Sequence, residues 1–186
     1  TEPRKWSRIR SPGASTPRSF PKGAILIMTG SKCAKTVRQE IENHGGDVKE
    51  FVSEIKVEWA HCDYAGIVFY PNFYIWFDQG TERLFRANGL SYAQLADEFG
   101  IDGMPLLETG TTYKNASKLG ADLTITSWID AWEDKTFLIK HRVMHADGRE
   151  ALEGFERRIF VIKDTELERG IRAIPAPDEI RARFAD

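Results

Sequence analysis

The stretch that most restricts the fold runs from Pro71 to Asn88, Pro-Asn-Phe-Tyr-Ile-Trp-Phe-Asp-Gln-Gly-Thr-Glu-Arg-Leu-Phe-Arg-Ala-Asn. Proline suits the first turn of a helix, where its missing N–H costs nothing. Phe73, Trp76, Phe77, Gly80 and Leu84 then recur at helical spacing. Asn88-Gly89 is a natural helix stop. With Phe85 added, this helix is too apolar to lie on a surface, so the rest of the chain must enclose it. Gly80, in mid-helix, costs up to ~1 kcal/mol against alanine. The close approach of a strand or a partner helix would account for it.

The flanking segments supply material for such an enclosure. A strand over about 53–61 places Ile55, Val57 and Trp59 on one face. The same alternation carries forward onto His61 and Asp63, so an acid should sit where the apolar face runs out. After the long helix, a shorter one is expected from Tyr92 to Phe99, closed by Gly100. Strands follow at about 105–114, 122–133, 136–146 and 150–162. Glu133-Asp134-Lys135 and Asp147-Gly148-Arg149 are hairpin-length links, so the last three strands form an antiparallel meander. One helix with strands on either side gives an α+β chain whose sheet can curl around the helix.

Composition narrows the class. At 41% hydrophobic and 29% charged the chain is ordinary globular material, with no apolar run near the ~20 residues of a membrane span. Cys33 and Cys62 form no disulfide framework or zinc-ligand cluster, so a cytoplasmic setting is expected. Residues 1–50 carry ten Lys/Arg against five Asp/Glu, whereas the remainder holds 16 against 23. We read 1–50 as a basic N-terminal extension, with 1–23 disordered, 51–176 as the main domain and 177–186 as a tail. The acidic main body argues against nucleic acid as a partner. Gly30-Ser-Lys-Cys-Ala-Lys35-Thr36 resembles a phosphate loop but lacks the second glycine and is one residue short.

Chemistry concentrates just before the long helix. Asp63 is followed by the small-residue bend Ala65-Gly66 and then by a helix start at Tyr70-Pro71. A carboxylate beside free helix-terminal N–H groups suits attack on a carbonyl, since those donors stabilise developing negative charge. At the edge of an apolar face, desolvation would raise the Asp63 pKa. Asp63 could equally cap the turn through its own side chain. His61 would project with Asp63 on a continuing strand, either orienting the acid or serving as a rim histidine bonded to backbone. Asp78 falls on the helix side that carries Tyr70 and Tyr74; it reads a polar group or is solvated. Tyr64, Phe69, Tyr74 and Trp128 are candidate pocket walls. His141 and His145 share a strand face with Phe137, Ile139 and Val143, too far apart along the strand for one metal. No cofactor or metal is required.

The run Cys62-Asp63-x-Ala65-Gly66-Ile67-Val68-Phe69-Tyr70-Pro71-Asn72-Phe73, then Trp76-Phe77-Asp78, resembles the hotdog-fold acyl-CoA thioesterases of the 4-hydroxybenzoyl-CoA thioesterase type. Trp132-x-x-Lys135-Thr136-Phe137 and Arg172-Ala173-Ile174-Pro175 extend the resemblance over about 53–176. It implies an antiparallel five-stranded sheet wrapped around the long helix, assembled as a homodimer or homotetramer with active sites between subunits. It also implies hydrolysis of an acyl- or aroyl-CoA to the free acid and CoA. Asp63 would act as nucleophile or base, and the Tyr70 N–H would polarise the carbonyl. Asp78 would approach the far end of the acyl group, with His61, Tyr64 and Tyr74 around the substrate and Lys135 toward a CoA phosphate. The sequence departs from the family at His61, at Tyr64 and at Glu133-Asp134, where arginines are usual. A non-catalytic acyl-CoA-binding module is the alternative.

Overall fold

A computed structural model describes residues 50–185. The basic extension up to 49, its expected strand and helix, and the phosphate-loop-like run all lie outside the described residues. In chain order the elements are β1 (Glu50–Lys56), a short 3-10 turn (Trp59–His61), α1 (Pro71–Ala87), α2 (Tyr92–Phe99), β2 (Leu106–Tyr113), β3 (Asp122–Trp132), β4 (Thr136–His145), β5 (Glu150–Lys163), β6 (Ile171–Ile174) and α3 (Asp178–Ala182).

The strands form one antiparallel sheet in the order β1-β3-β4-β5-β2. A sixth strand, β6, pairs with Phe160–Lys163 of β5, beyond the point where β4 ends, so the expected five-stranded sheet gains a strand. Four residues, Ile171–Ile174, were too short a run to stand out from a tail.

Alternation on β3, β4 and β5 aims Leu123, Ile125, Phe137, Ile139, Val143, Leu152 and Phe160 at α1, all fully buried. Phe77, Leu84 and Phe85 of α1 meet them with almost no exposure. Each such side chain contributes about 1.5–3 kcal/mol on burial. A second cluster around Phe85 takes in Leu95 of α2 and Ile180 of α3, with Phe184 packed against it. The tail expected after residue 176 therefore folds back onto the domain.

Helix α1 stops where its sequence says it should. The Leu90 N–H donates to Phe85 O and the Gly89 N–H to Arg86 O, a reversal that places Gly89 at φ +67°. Gly80 is explained by close approach: a Cβ there would lie 2.5 Å from Ser127 Oγ on β3. Gly154 of β5 is its counterpart, for a Cβ would lie 2.3 Å from the Phe77 ring. Helix and sheet thus touch backbone to side chain at two glycines, one on each partner.

Between these contacts lies a buried polar network. His141 stacks on Phe77 with centroids 4.4 Å apart, and its Nδ1 is 2.9 Å from Ser127 Oγ. Glu156 accepts from Thr81 Oγ1 at 2.6 Å and twice from Arg158 at 3.0 Å. Arg158 also donates to Met104 O and, at 2.6 Å, to Asp78 Oδ1. Burial alone would raise the Glu156 carboxyl, but the His141 ring and the Arg158 guanidinium reverse this and bring it down to about 2. Burial pushes the His141 imidazole below its usual value, which keeps it neutral.

Two predictions follow from this packing. Gly154→Ala and Gly80→Ala should each lower the melting temperature through overpacking of roughly 1–3 kcal/mol. At Gly80 the gain in helix propensity offsets part of that. Gly103→Ala, with open space at its Cβ, should be near neutral and serves as the control. The pH profile is also set. Below about 6.5 the unfolded histidine takes up a proton that buried His141 resists, so unfolding free energy should start to fall there. It should fall further between pH 4.5 and 2 as unfolded Glu156 protonates first, by about 3 kcal/mol in all for that group. Denaturant titrations at several pH values check both; His141→Phe should abolish the fall between pH 6.5 and 5.

Candidate active site

Strand β1 ends at Lys56, and Trp59–His61 is a 3-10 turn, so His61 and Asp63 do not continue its alternation as expected. The backbone instead makes a small hairpin of its own. Cys62 bridges Val68, and the Asp63 N–H donates to Ile67 O at 2.9 Å. The Gly66 N–H closes the turn on Asp63 O, and Gly66 sits at φ +72°. This is the three-residue hairpin loop that needs a left-handed residue at its last position. Gly66 is therefore a geometric requirement for holding Asp63 at the base of the loop.

The Asp63 side chain caps its own turn, the alternative raised for it. Oδ1 accepts from the Ala65 N–H at 2.8 Å, an Asx-type turn that fixes the carboxylate's direction. Oδ2 has no recorded partner among the described residues, leaving one oxygen for chemistry. Asp63 is exposed, so the apolar surroundings expected of it are absent among the described residues.

Two further ties fasten the hairpin. The Val68 N–H donates to Ser117 O at 2.8 Å, binding it to the β2–β3 connection. The Phe69 N–H and Asn72 Nδ2 both donate to His61 O, at 2.8 and 3.0 Å, binding it to the start of α1. Tyr70 is the residue before Pro71 and already has helical angles, φ −51° and ψ −33°. Its N–H has no acceptor among the described residues.

A cavity of about 380 Å³ opens between these pieces, lined by Asp63, Ile67, Val68, Tyr70, Phe73 and the segment Tyr113–Ser117. The structure thus brings Asp63 and Tyr70 to one cavity. Tyr74 stands one turn behind, edge-on to Tyr70 and Phe77 and beside Tyr113. Burial, and then Tyr74, raise the Tyr113 phenol and so keep it protonated.

The remaining expected residues lie elsewhere in the subunit. His61 Nδ1 accepts from the Glu58 N–H at 3.0 Å and its ring stands edge-on to Trp76, the rim position foreseen as the alternative. Tyr64 is fully exposed at the hairpin tip. Asp78 is tied to Arg158 and lies outside the cavity lining. Lys135 is exposed in the β3–β4 turn, where neighbouring Glu133 pairs with Arg157. Trp128 faces away from α1, under the Arg142 guanidinium, so it walls a different depression. Sequence reasoning missed Tyr113 to Ser117 altogether. They read as the end of a strand and an ordinary connection after it, and only Ile67–Lys118 and Val68–Ser117 pairing carries them to Asp63.

The profile of the thioesterase-like superfamily matches residues 57–184. The chain belongs to that superfamily. It is 31% identical over 127 residues to the 4-hydroxybenzoyl-CoA thioesterase of Pseudomonas sp. (strain CBS-3), covering 66% of this chain and 88% of that protein. A mutant of 4-hydroxybenzoyl CoA thioesterase complexed with 4-hydroxybenzoyl CoA superposes with a TM-score of 0.67 at 27% identity, covering 74% of this chain and all of that one. The gentisyl-coenzyme A thioesterase BH1999 gives 0.61 at 28% identity, covering 73% of this chain and all of that one. The fold is that of these hotdog enzymes, and the superfamily member described here is a thioester hydrolase.

The hairpin yields a direct test. Gly66→Ala places a side chain in the left-handed region at a cost of about 1–2 kcal/mol. Because the strain falls on the turn that aims Asp63, thioester hydrolysis should drop at least tenfold while the melting temperature drops only a few degrees. Steady-state kinetics beside a thermal melt separates the two effects.

Proposed function

We propose that this protein hydrolyses an acyl- or aroyl-CoA thioester to the free acid and CoA, with Asp63 and Tyr70 as its reacting pair. One observation carries the reading: a carboxylate with a free oxygen and a helix-terminal N–H without an acceptor share a single cavity. The thioester carbonyl oxygen would take the Tyr70 N–H, with the positive end of α1 behind it. Asp63 Oδ2 then either attacks the carbonyl carbon or takes a proton from the water that does. In the first case a mixed anhydride forms and the CoA thiolate leaves, and water cleaves the anhydride. In the second the thiolate leaves from the water adduct. Both end at a carboxylic acid and CoA.

Asp78, Tyr74, His61, Tyr64 and Lys135 enter this reading as contacts completed by a second subunit, since none of them lines the cavity of one chain. Support for a homodimer or homotetramer comes from side chains left in the open. Trp59 is 82% exposed, Tyr64 fully so and Phe69 49%, all around the hairpin. Leu106 and Leu107 are also exposed, on the edge strand β2. Exposed apolar side chains gathered beside a site mark an interaction surface. No described helix is long and apolar enough to cross a membrane, and we place the enzyme in the cytoplasm, where CoA esters are met.

Asp63→Asn keeps the shape of the turn and removes the base or nucleophile. It should lower kcat on benzoyl-CoA and 4-hydroxybenzoyl-CoA by about 10²–10⁴-fold with little change in KM. Release of free thiol measures the rate, and equal rates in both proteins would refute the assignment. After a single turnover in ¹⁸O-water, label in Asp63 demonstrates the anhydride route with water attacking the Asp63 carboxyl carbon, since the water-adduct route leaves none there.

A further inference from the structure

Among the described residues Lys114 is the one cation in the lining of the Asp63 cavity, and its ammonium is already paired. Its Nζ lies 2.7 Å from Glu150 Oε2 and 3.3 Å from Glu153 Oε2. The backbone holds it there. The N–H groups of Lys114 and Asn115 both donate to Ala151 O at 2.9 Å, and Asn115 Nδ2 donates to Glu150 O at 2.7 Å. Arg142 adds a second positive charge, 3.9 and 3.8 Å from the same two carboxylates. This group of four sums to zero, so the net formal charge facing the cavity is that of Asp63.

The other walls are apolar or neutral. Val68 and Phe73 are buried, the Phe73 and Tyr113 rings stand 6.0 Å apart, and Ser117 is buried with its hydroxyl 3.5 Å from His145 Nε2. At about 380 Å³ the cavity is near the small end of the range for small-molecule pockets, about 300–1,000 Å³. A carboxylate at the far end of an acyl group would find no free cation here among the described residues, and it would share the space with Asp63. A compact ring without charge would find aromatic edges and a neutral phenol.

We propose that this cavity is the acyl slot and that it selects compact uncharged acyl groups, with the Glu150–Lys114–Glu153 cluster as the element that rejects anionic ones. The proposal rests on the thioesterase reading above. Specificity here comes from withholding a partner from the wrong substrate, as well as from fitting the right one.

The experiment compares benzoyl-CoA with 4-carboxybenzoyl-CoA, two esters of near-equal shape, on the full chain. The wild type should favour benzoyl-CoA in kcat/KM by about a hundredfold or more. Glu150→Gln combined with Glu153→Gln frees Lys114 and should shrink that preference at least tenfold. Adding Lys114→Met to the double variant should restore it. The ratio is taken within each variant, so partial destabilisation cancels. Equal use of the two esters by the wild type, or an unchanged ratio in the double variant, overturns the proposal. So does a Tyr113→Ala variant that raises KM alike for benzoyl-, 4-carboxybenzoyl- and acetyl-CoA, since that marks the cavity as a passage for the CoA arm. Failure of the wild type to cleave any CoA ester would instead sink the thioesterase reading itself.

Discussion

The fold depends on how closely α1 can approach the sheet that surrounds it. Phe77 lies flat on His141 and occupies the space that a side chain at position 154 would need. Ser127 does the same at Gly80 from the opposite partner. Side chains pack into the absent Cβ positions of the other element, so helix and sheet meet at a distance that no alanine at these places would allow. That fixes the rotation of α1 about its axis. With it are fixed the direction of Tyr70 at the helix start and the place where the Asp63 hairpin can dock.

The buried ionic group beneath the helix sharpens the same register. Glu156 and Arg158 are almost wholly buried, and both reach α1, at Thr81 and Asp78. Such a network is costly unless every member is bonded. A rotation of α1 would take Thr81 from Glu156 and Asp78 from Arg158, leaving the buried pair with fewer of its bonds. Apolar contacts hold the helix in the sheet, while this network specifies which way it faces. Asp78 takes part by giving one carboxylate oxygen to Arg158, which bears on any role it plays toward substrate from a second subunit.

Much of this architecture was legible in the amino-acid order. The period of Phe73, Trp76, Phe77 and Leu84 announced a buried helix, and Asn88-Gly89 announced its end. Alternation in β3 to β5 announced the enclosing meander. The short strand β6 was not legible, because four residues between a polar loop and Pro175-Ala176-Pro177 carry too little pattern. The site was legible in part. Asp63, Ala65-Gly66 and Tyr70-Pro71 are local features, and a hairpin loop followed by a helix start is written in consecutive residues. His61 was misplaced because strand alternation was carried past Lys56, where the Trp59–His61 turn breaks it.

The sequence by itself determined most of the elements and the family, and it brought Asp63 and Tyr70 forward as candidates. The reason is physical: periodicity, turn chemistry and caps act between residues a few positions apart. Only the tertiary structure decided what surrounds that pair. Tyr113 to Ser117 lie some fifty residues from Asp63 and join it through two backbone pairings to Ile67 and Val68. Lys114, the last residue of an expected strand, is paired with Glu150 and Glu153 of the neighbouring strand. Charge partners and cavity walls depend on distances through space, and those exist only once the sheet has closed around the helix.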